Sequence, residues 1–307
     1  MVDRIVKLSF SGPVHFGSRR LSDGAYTCDA ATLFSALYIE ALRAGCADEL
    51  LHAAKTGDLQ LSDAFPYIGE QLYIPKPMLG NVRFDAKRAE AADSRERKAN
   101  KKLKYLPLTA LGDYLAGSFD FIDALAKFDL GTSFARTKVN LTRETSDDAE
   151  PYHVGAFSFN HGCGIYFVVR GPYDVAPLFE QLGYSGIGGK RTSGYGRFSV
   201  HVQDADDFGF RLPSPAPGRA MLLSSSAPKE GELTDELLAD AKYHLCRKGG
   251  FVQSATHAET FRKKREMWVF APGSVFSNDF EGDVFDVNET PGAHPVYRYA
   301  RAMWMEV

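Results

Sequence analysis

The sequence predicts an α+β fold in two domains, and three observations support this prediction. A chain of 307 residues is longer than one hydrophobic core usually serves. Segments with the periodicity of strands and of helices follow one another from the N-terminus. A stretch rich in proline and small residues, 212–218, resists regular structure and divides the chain. We therefore expect one domain over residues 1–210 and a second over 219–307.

The first domain shows the element order of a β-α-β-β-α-β unit. Residues 6–10 alternate apolar with polar side chains, which predicts a strand, and a polar loop follows. Asp29 is a candidate N-cap for a helix over 31–44, which Gly45 ends. The later elements are a strand over 166–169, a short helix over 174–182 and a strand over 197–202. This order predicts a ferredoxin-like fold.

The segment between these two groups, about 60–155, is too long for an ordinary connection and predicts a large insertion. Its most charged part, 83–104, indicates a solvated helix or a segment that orders on a partner. In the second domain we predict strands over 220–225, 267–271 and 297–306, and a hairpin whose arms, 243–247 and 251–254, flank Lys248-Gly249-Gly250. The second domain is then a less regular ferredoxin-like unit.

Charge and cysteine content exclude several classes of protein. The formal net charge of -3 argues against a uniformly basic nucleic-acid binder but leaves room for a local cationic groove. The four cysteines stand far apart, so we expect neither a zinc site nor a disulfide framework, and no other cofactor. Because no signal-like segment and no run of 18 apolar residues occurs, we expect a cytoplasmic protein without a membrane partner.

A glycine-rich loop, 186–197, is the most informative segment of the chain. It combines glycines, cations, hydroxyls and one aromatic ring: Gly186, Gly188, Gly189, Lys190, Arg191, Thr192, Ser193, Gly194, Tyr195, Gly196 and Arg197. Glycines allow positive φ and a close approach of backbone to a ligand, and the cations and hydroxyls suit phosphate oxygens. A P-loop would require glycine at Tyr184 and Ser or Thr at Arg191, so a polynucleotide backbone is the better ligand. The alternative is a solvated turn.

Two further groups of residues are candidates for RNA contact. The loop after the first strand contains His15, Phe16, Gly17, Arg19 and Arg20, and the predicted hairpin tip contains Arg247 and Lys248. Phe16 is either a base-stacking residue or part of the core. His15 either packs in its loop or binds a phosphate, or it serves as the general acid or base of a metal-independent endoribonuclease. No motif of a two-metal or nucleophilic enzyme occurs in the sequence.

Four segments resemble a known family when they are taken together. The loop GIGGKRTSGYGRF (186–198) resembles the signature of the RAMP superfamily of CRISPR proteins, which lies between the last helix and last strand of an RRM-like fold. With KLSFSGPVHFG (7–17), TLFSAL (32–37) and HPVYRY (294–299), the chain resembles the fourth Csm subunit of type III-A interference complexes. Ala31 precedes the second segment where that family commonly has Asp, so a contact of that Asp is not carried over.

The resemblance implies a non-catalytic subunit and names its partners. Relatives bind the repeat-derived 5′ handle of the crRNA, contact the polymerase-like large subunit and the first backbone subunit, and meet target RNA only indirectly. They also project a thumb-like β-hairpin, which 136–144 and 152–159 match in composition and position. Arg136, Lys138 and Asn140 alternate and so share one strand face, whereas Arg143 needs a turn or bulge to join them. A protein-protein adaptor whose loop never meets RNA is the third alternative, beside the endoribonuclease.

Overall fold

Helices and antiparallel sheets are mixed along the whole chain, which confirms the predicted α+β class. The computed structural model describes residues 3–17, 20–79, 94–139, 151–208, 219–252, 254, 257–258, 260, 262–289 and 292–307. No helix in these ranges is both long enough and apolar enough to cross a lipid bilayer.

The elements before residue 209 outnumber those after residue 218. The first group is β1 (Asp3–Phe10), β2 (Phe16–Gly17), β3 (Gly24–Ala25), α1 (Ala30–Ala44), α2 (Ala47–Thr56), β4 (Gln60–Leu61), β5 (Phe65–Ile68), β6 (Gln71–Pro75), α3 (Ser94–Lys102), β7 (Tyr105–Pro107), α4 (Leu111–Leu115), α5 (Phe121–Lys127), β8 (Gly131–Val139), β9 (Pro151–Phe159), β10 (Cys163–Arg170), α6 (Ala176–Ser185) and β11 (Phe198–Asp204). The second group is β12 (Ala220–Leu222), α7 (Asp235–Leu238), β13 (Leu245–Lys248), β14 (Met267–Phe270), β15 (Val275–Phe276), β16 (Gly282–Asp286), β17 (Tyr297–Arg301) and β18 (Trp304–Glu306).

The main sheet has seven strands in the order β11-β1-β10-β5-β6-β7, with β4 also paired to β10. All of these pairings are antiparallel, and Leu8 of β1 lies opposite both Ile165 of β10 and Val200 of β11. Strands β4 to β7 lie within the segment that we expected to be an insertion. That expectation was wrong for these strands, because β4 and β5 pair with distant β10 and β6 and β7 extend the sheet from β5.

The helix α1 forms as predicted and covers one face of this sheet. The carboxylate of Asp29 accepts a hydrogen bond from the Thr32 amide at 2.8 Å, and Gly45 ends the helix at φ +77°. Leu33 and Leu37 are buried together with Phe179 of α6 and the apolar side chains of β1 and β10. Burial of each such side chain contributes about 1.5–3 kcal/mol.

The opposite face of the sheet is covered by the C-terminal part of the chain. Ile5, Tyr166 and Val168 pack in one cluster with Met221 and Met303. Every residue of β10 except its last is buried. The described sheet therefore presents no broad free face at its centre, and a macromolecular ligand must contact the loops, hairpins or edges.

The C-terminal tail packs against α1. The Leu61 amide donates a hydrogen bond to the Tyr299 hydroxyl at 2.9 Å, and the Tyr299 ring centroid lies 5.5 Å from that of Phe34. Tyr297 meets Tyr38 edge-on at 5.7 Å. The strand that we predicted over 297–306 is thus two strands, β17 and β18, and its first half joins the tail to the helix.

Two other predictions have different outcomes. The prediction of a hairpin over 243–254 was wrong, because its first arm, β13, pairs with β14, and Phe251 of its second arm forms a bridge with Lys263. This pairing buries Val269 beside Cys246, an apolar gain that a local Gly-Gly turn does not provide. Within the charged segment, α3 is a helix with only Ala99 buried, so the solvated helix is confirmed there, and 83–93 lie outside the described residues.

Candidate nucleic-acid interface

A two-stranded antiparallel sheet, β8 with β9, occupies the place where the resemblance implies a thumb-like hairpin. The strands pair from Gly131 opposite Phe159 to Val139 opposite Pro151. Arg136 is exposed and Lys138 is half-buried, and both project from the same strand face because they are two residues apart. Asn140 and Arg143 lie outside the described residues, so their predicted contacts stay predictions.

The glycine-rich loop follows α6 and is seated on the loop after β1. The Gly189 amide donates to the His15 carbonyl and the Gly196 amide donates to the Pro13 carbonyl, both at 2.9 Å. The Ile187 amide donates to the Gly196 carbonyl, also at 2.9 Å, which closes the base of the loop. Ile187 and Tyr195 are buried. The ends of the loop are therefore held by the protein itself.

Most of the glycines serve this seating rather than an open contact surface. A Cβ atom at Gly196 would lie 2.0 Å from the Ile187 carbonyl oxygen, and one at Gly188 would lie 2.8 Å from the His15 carbonyl oxygen. At Gly189 the neighbour is the His15 ring. We expected the glycines to let the backbone approach a ligand, but at these three positions the close neighbour is the chain. Gly194 alone among the loop glycines faces open space.

The tip of the loop is the part that faces solvent. Lys190 has φ +59° and is the one non-glycine residue with positive φ in the described ranges. A short 3-10 turn, Arg191–Ser193, follows it. Thr192, Ser193 and Arg197 are exposed, and Lys190 and Arg191 are half-buried. A left-handed lysine costs about 1 kcal/mol or more, so the surrounding structure holds the tip in this form.

The loop tip and the β8–β9 sheet contact each other directly. The Lys138 ammonium donates to the Ser193 hydroxyl at 2.8 Å and lies 5.5 Å from the centroid of the Tyr195 ring. In the reverse direction, the Lys190 ammonium lies 5.1 Å from the Tyr152 ring centroid. These reciprocal cation–π contacts place two lysines between the elements. We call Arg136, Lys138, Lys190, Arg191 and Arg197 the cationic surface.

The loop after β1 supports this surface from below. His15 is buried, and its ring Nδ1 donates to the Gly155 carbonyl at 2.5 Å, so the loop holds β9 in place. Phe16 is also buried and packs edge-on against Phe10. Of the two alternatives for Phe16, burial of the ring favours the core residue over the base-stacking residue. Gly17 and Arg20 are exposed, whereas Arg19 lies outside the described residues.

The second predicted cationic pair lies elsewhere and makes protein contacts. The Lys248 ammonium donates to the Asp29 carboxylate at 2.8 Å, and Arg247 pairs with Glu266 at 3.4 Å on the surface. Burial raises the pKa of Asp29, but the Lys248 charge and the hydrogen bonds from Lys248 and Thr32 outweigh it and lower the pKa to about 2. Lys248 at the N-cap of α1 therefore has a partner inside the protein, and this ion pair weighs against the RNA contact that the sequence predicts for it.

Sequence reasoning missed Asp63, a buried acid beside this pair. Its carboxylate accepts hydrogen bonds from the Ala30 amide and from the amide and hydroxyl of Ser225. Burial, followed by the nearby Asp29 charge, raises the pKa of Asp63 to about 6, although Lys248 and the two amides act in the lowering direction. No local pattern marks Asp63, because its partners come from distant parts of the chain.

Potential metal-binding groups and cysteines complete the description of the site. Within the described ranges, no three His, Cys, Asp or Glu side chains are grouped so that they can hold a metal ion. All four cysteines are free.

Sequence comparison connects this geometry to known proteins. The chain is 35% identical, over 99% of its length and 98% of the relative, to the CRISPR system Cms protein Csm4 of Mycobacterium tuberculosis (strain ATCC 25618 / H37Rv). The chain belongs to the Csm4 family. The Csm4 protein of Streptococcus thermophilus is 31% identical to this chain, and the alignment covers 95% of each of the two proteins. A family model described as the CRISPR Csm4 C-terminal domain matches residues 217–307.

Solved Csm4 structures share the fold. A chain in the crystal structure of the Csm3-Csm4 subcomplex in the type III-A CRISPR-Cas interference complex superposes with a TM-score of 0.66 at 18% identity, covering 100% of this chain and 99% of that one. A chain in the crystal structure of the Csm1-Csm4 cassette in complex with AMPPNP superposes with a TM-score of 0.64 at 20% identity. The superposition covers 100% of this chain and 98% of that one. The Csm4 fold thus extends over the whole chain.

Proposed function

We propose that this chain is a non-catalytic RNA-binding subunit of a type III-A Csm interference complex and that it caps and anchors the 5′ handle of the crRNA. The observation that carries the proposal is the contact between the glycine-rich loop and the β8–β9 sheet, which gathers the cationic surface. Cations and hydroxyls together suit the phosphates of a single strand. The net charge of -3 is no obstacle, because the cations are concentrated locally.

We further propose that residues 1–210 form a ferredoxin-like, RRM-like domain and 219–307 a second such unit. The strand order β11-β1-β10-β5 with α1 and α6 on one face supports the first assignment. A family-model match that starts at residue 217 supports the boundary. Because the second face of the sheet is buried against the C-terminal part, RNA follows the loop and hairpin instead of the sheet.

The protein partners that we propose are the polymerase-like large subunit and the first backbone subunit. Relatives crystallised as a Csm1-Csm4 cassette and as a Csm3-Csm4 subcomplex support contacts with two other Csm subunits. Target RNA is then met indirectly, through the guide that these subunits carry.

Removal of two loop cations tests the RNA contact. In the full-length chain, Lys190→Ala combined with Arg191→Ala should weaken binding of a single-stranded RNA that begins with the repeat-derived handle. Each lost phosphate contact should also reduce the slope of log K against log salt by about 0.7. Fluorescence anisotropy at several salt concentrations measures both quantities.

The matched control removes the same charge from an exposed helix. Lys101→Ala with Lys102→Ala on α3 should leave affinity and slope near those of the unaltered chain. Equal affinity and equal slope for the loop variant and the unaltered chain would contradict the proposal.

The endoribonuclease alternative depends on His15, and the structure weakens it. The His15 ring is buried and its Nδ1 donates to the Gly155 carbonyl, so the imidazole has no access to an RNA strand as a general acid or base. Cleavage of repeat RNA in EDTA that disappears in His15→Ala would restore this alternative. The protein-protein adaptor predicts instead that RNA never crosslinks to 186–197.

A further inference from the structure

An open pocket lies beside the glycine-rich loop, on the side of α6, and shares only Arg197 with the cationic surface. Its volume is about 430 Å³, within the range of small-ligand sites. The lining residues that matter here are Ser9, Phe10, Ser11, Tyr184, Arg197 and Ser199. They come from the end of β1, the last turn of α6 and the start of β11.

Tyr184 is the unusual member of this group. It is 83% exposed, the highest value among the large apolar and aromatic side chains of the described residues. An aromatic ring that exposed has little packing role in the folded chain, and from the last turn of α6, two residues before the loop, it lines the same pocket as Arg197. An exposed ring beside an arginine is the combination on which single-stranded nucleic acids stack their bases.

The remaining pocket residues fit a nucleoside. Phe10 and Phe198 meet edge-on at 5.7 Å and give an aromatic floor. The Arg197 carbonyl accepts the Ser11 amide hydrogen at 3.2 Å, so the backbone of the arginine is fixed while its side chain is exposed. Of the serines in the lining, Ser11 is the one placed to offer its hydroxyl to a ribose or a base edge, because the Ser9 hydroxyl bonds that of Tyr67 at 2.6 Å and the Ser199 hydroxyl donates to the Ser9 carbonyl at 3.4 Å.

We propose that this pocket binds one unstacked nucleotide of single-stranded RNA, with its base on the Tyr184 ring and its phosphate at Arg197. The proposal rests on the RNA-binding function proposed above and extends it. The cationic surface holds the sugar-phosphate chain, and Tyr184 holds a base that leaves the stack. Stacking has no charge term, so it contributes affinity without contributing to the salt dependence.

The test compares two substitutions of Tyr184 in the full-length chain. Tyr184→Ala should weaken handle-RNA binding by about 5- to 100-fold and leave the salt slope unchanged, whereas Tyr184→Phe should bind like the unaltered chain. The matched control is Trp268→Ala, which removes another exposed aromatic ring (62% exposed) on β14 and should not change affinity.

A scan with abasic RNA locates the bound nucleotide. If each position of the handle is replaced in turn by an abasic residue, one position should weaken binding to the unaltered chain and have no further effect on Tyr184→Ala. Independent, additive losses at every position would overturn the proposal.

The outcomes separate this inference from the proposed function. Unchanged affinity of Tyr184→Ala, together with a reduced salt slope in the Lys190, Arg191 variant, would overturn the pocket and leave the function. The reverse pattern would support the pocket and contradict the phosphate contact. If Tyr184→Ala keeps RNA but loses co-purifying Csm subunits, the ring is a protein contact and the proposal fails.

Discussion

Two glycines in the loop 186–197 have similar backbones and different surroundings. Gly194 has φ +83° with open space around its missing side chain, whereas Gly196 has φ +76° and a carbonyl 2.0 Å from where a Cβ atom would lie. Both conformations disfavour an L side chain, but only the second also excludes it by volume. The residue type alone does not separate these two roles.

Alanine substitution at the two positions should therefore give unequal losses of stability. We expect Gly194→Ala to lower the free energy of unfolding by about 1–2 kcal/mol through φ alone. Gly196→Ala should cost clearly more, because the Ile187 carbonyl must move and its hydrogen-bonded loop base opens. Urea unfolding of both variants measures the difference, and equal losses would show that the close contact at Gly196 is easily relieved.

Asp63 should give the stability a specific pH dependence. Its pKa is raised to about 6 in the folded chain, against about 3.9 when unfolded. A raised pKa means that the folded state binds the proton more tightly, so this contribution is complete below pH about 4 and is lost as the pH rises through about 6. Asp63→Asn keeps the shape, and its amide can still accept from Ala30 and Ser225.

The measurement is the unfolding free energy of both proteins between pH 4 and 7. Stability of the unaltered chain relative to Asp63→Asn should fall by about 1–3 kcal/mol over this range. A difference that stays constant with pH would mean that Asp63 titrates normally in the folded protein.

At the scale of elements, the loop tip depends on the neighbouring β8–β9 sheet. Ser193 and Tyr195 of the loop both contact Lys138 of β8, and Tyr195 is buried with Val154 and Ala156 of β9. The strand pairing thus positions one cation for RNA and at the same time holds the loop that carries the others. Neither element has the cationic surface by itself.

Lys138→Ala should loosen the tip without unfolding the chain. It removes one hydrogen bond and one cation–π contact, which together contribute about 1–2 kcal/mol locally. Amide hydrogen exchange at 190–194 should become faster, as measured by mass spectrometry or NMR. Thr137→Ala, whose hydroxyl contacts His153 on the other strand face, is the control and should leave exchange in the loop unchanged.

At the scale of the whole molecule, the segments that carry the family resemblance meet one another. The helix containing TLFSAL packs on the tail HPVYRY through Phe34 and Tyr299, and Lys248 reaches the N-cap of that helix at Asp29. These contacts join the N-terminal and C-terminal parts of the chain. We attribute the similarity of these segments to the family to this junction. We attribute the similarity of the glycine-rich loop to the contacts that hold it on the loop after β1 and to its cationic tip.

Lys248→Ala tests the junction. The substitution leaves the largely buried Asp29 carboxylate without its cation. We therefore expect the free energy of unfolding to fall by about 2–3 kcal/mol, a value between those typical of exposed and of buried ion pairs. Arg247→Ala, which breaks the exposed pair with Glu266, should cost less than about 1 kcal/mol. Thermal or urea unfolding compares them, and RNA affinity should be unaffected by Lys248→Ala. A selective loss of RNA affinity would instead return Lys248 to the RNA interface.

Features that depend on neighbouring residues can be predicted from the amino-acid sequence. The helix α1 with its Asp29 cap and its Gly45 end, the strands β1, β10 and β11, and the position of the glycine-rich loop all follow from local periodicity and capping. The cationic character of the loop and of the β8–β9 region is also evident from the sequence, because it depends only on residue type and spacing.

Which residues face inward and which distant segments meet is visible only in the folded chain. Phe16 and His15 look like ligand residues in the sequence and are buried, Lys248 has an acid from α1 as its partner, and β13 pairs with β14 instead of its neighbour. The exposed ring of Tyr184 was equally hidden. The physical reason is that burial and ion pairing depend on contacts between residues far apart in the chain, about which local pattern carries no information.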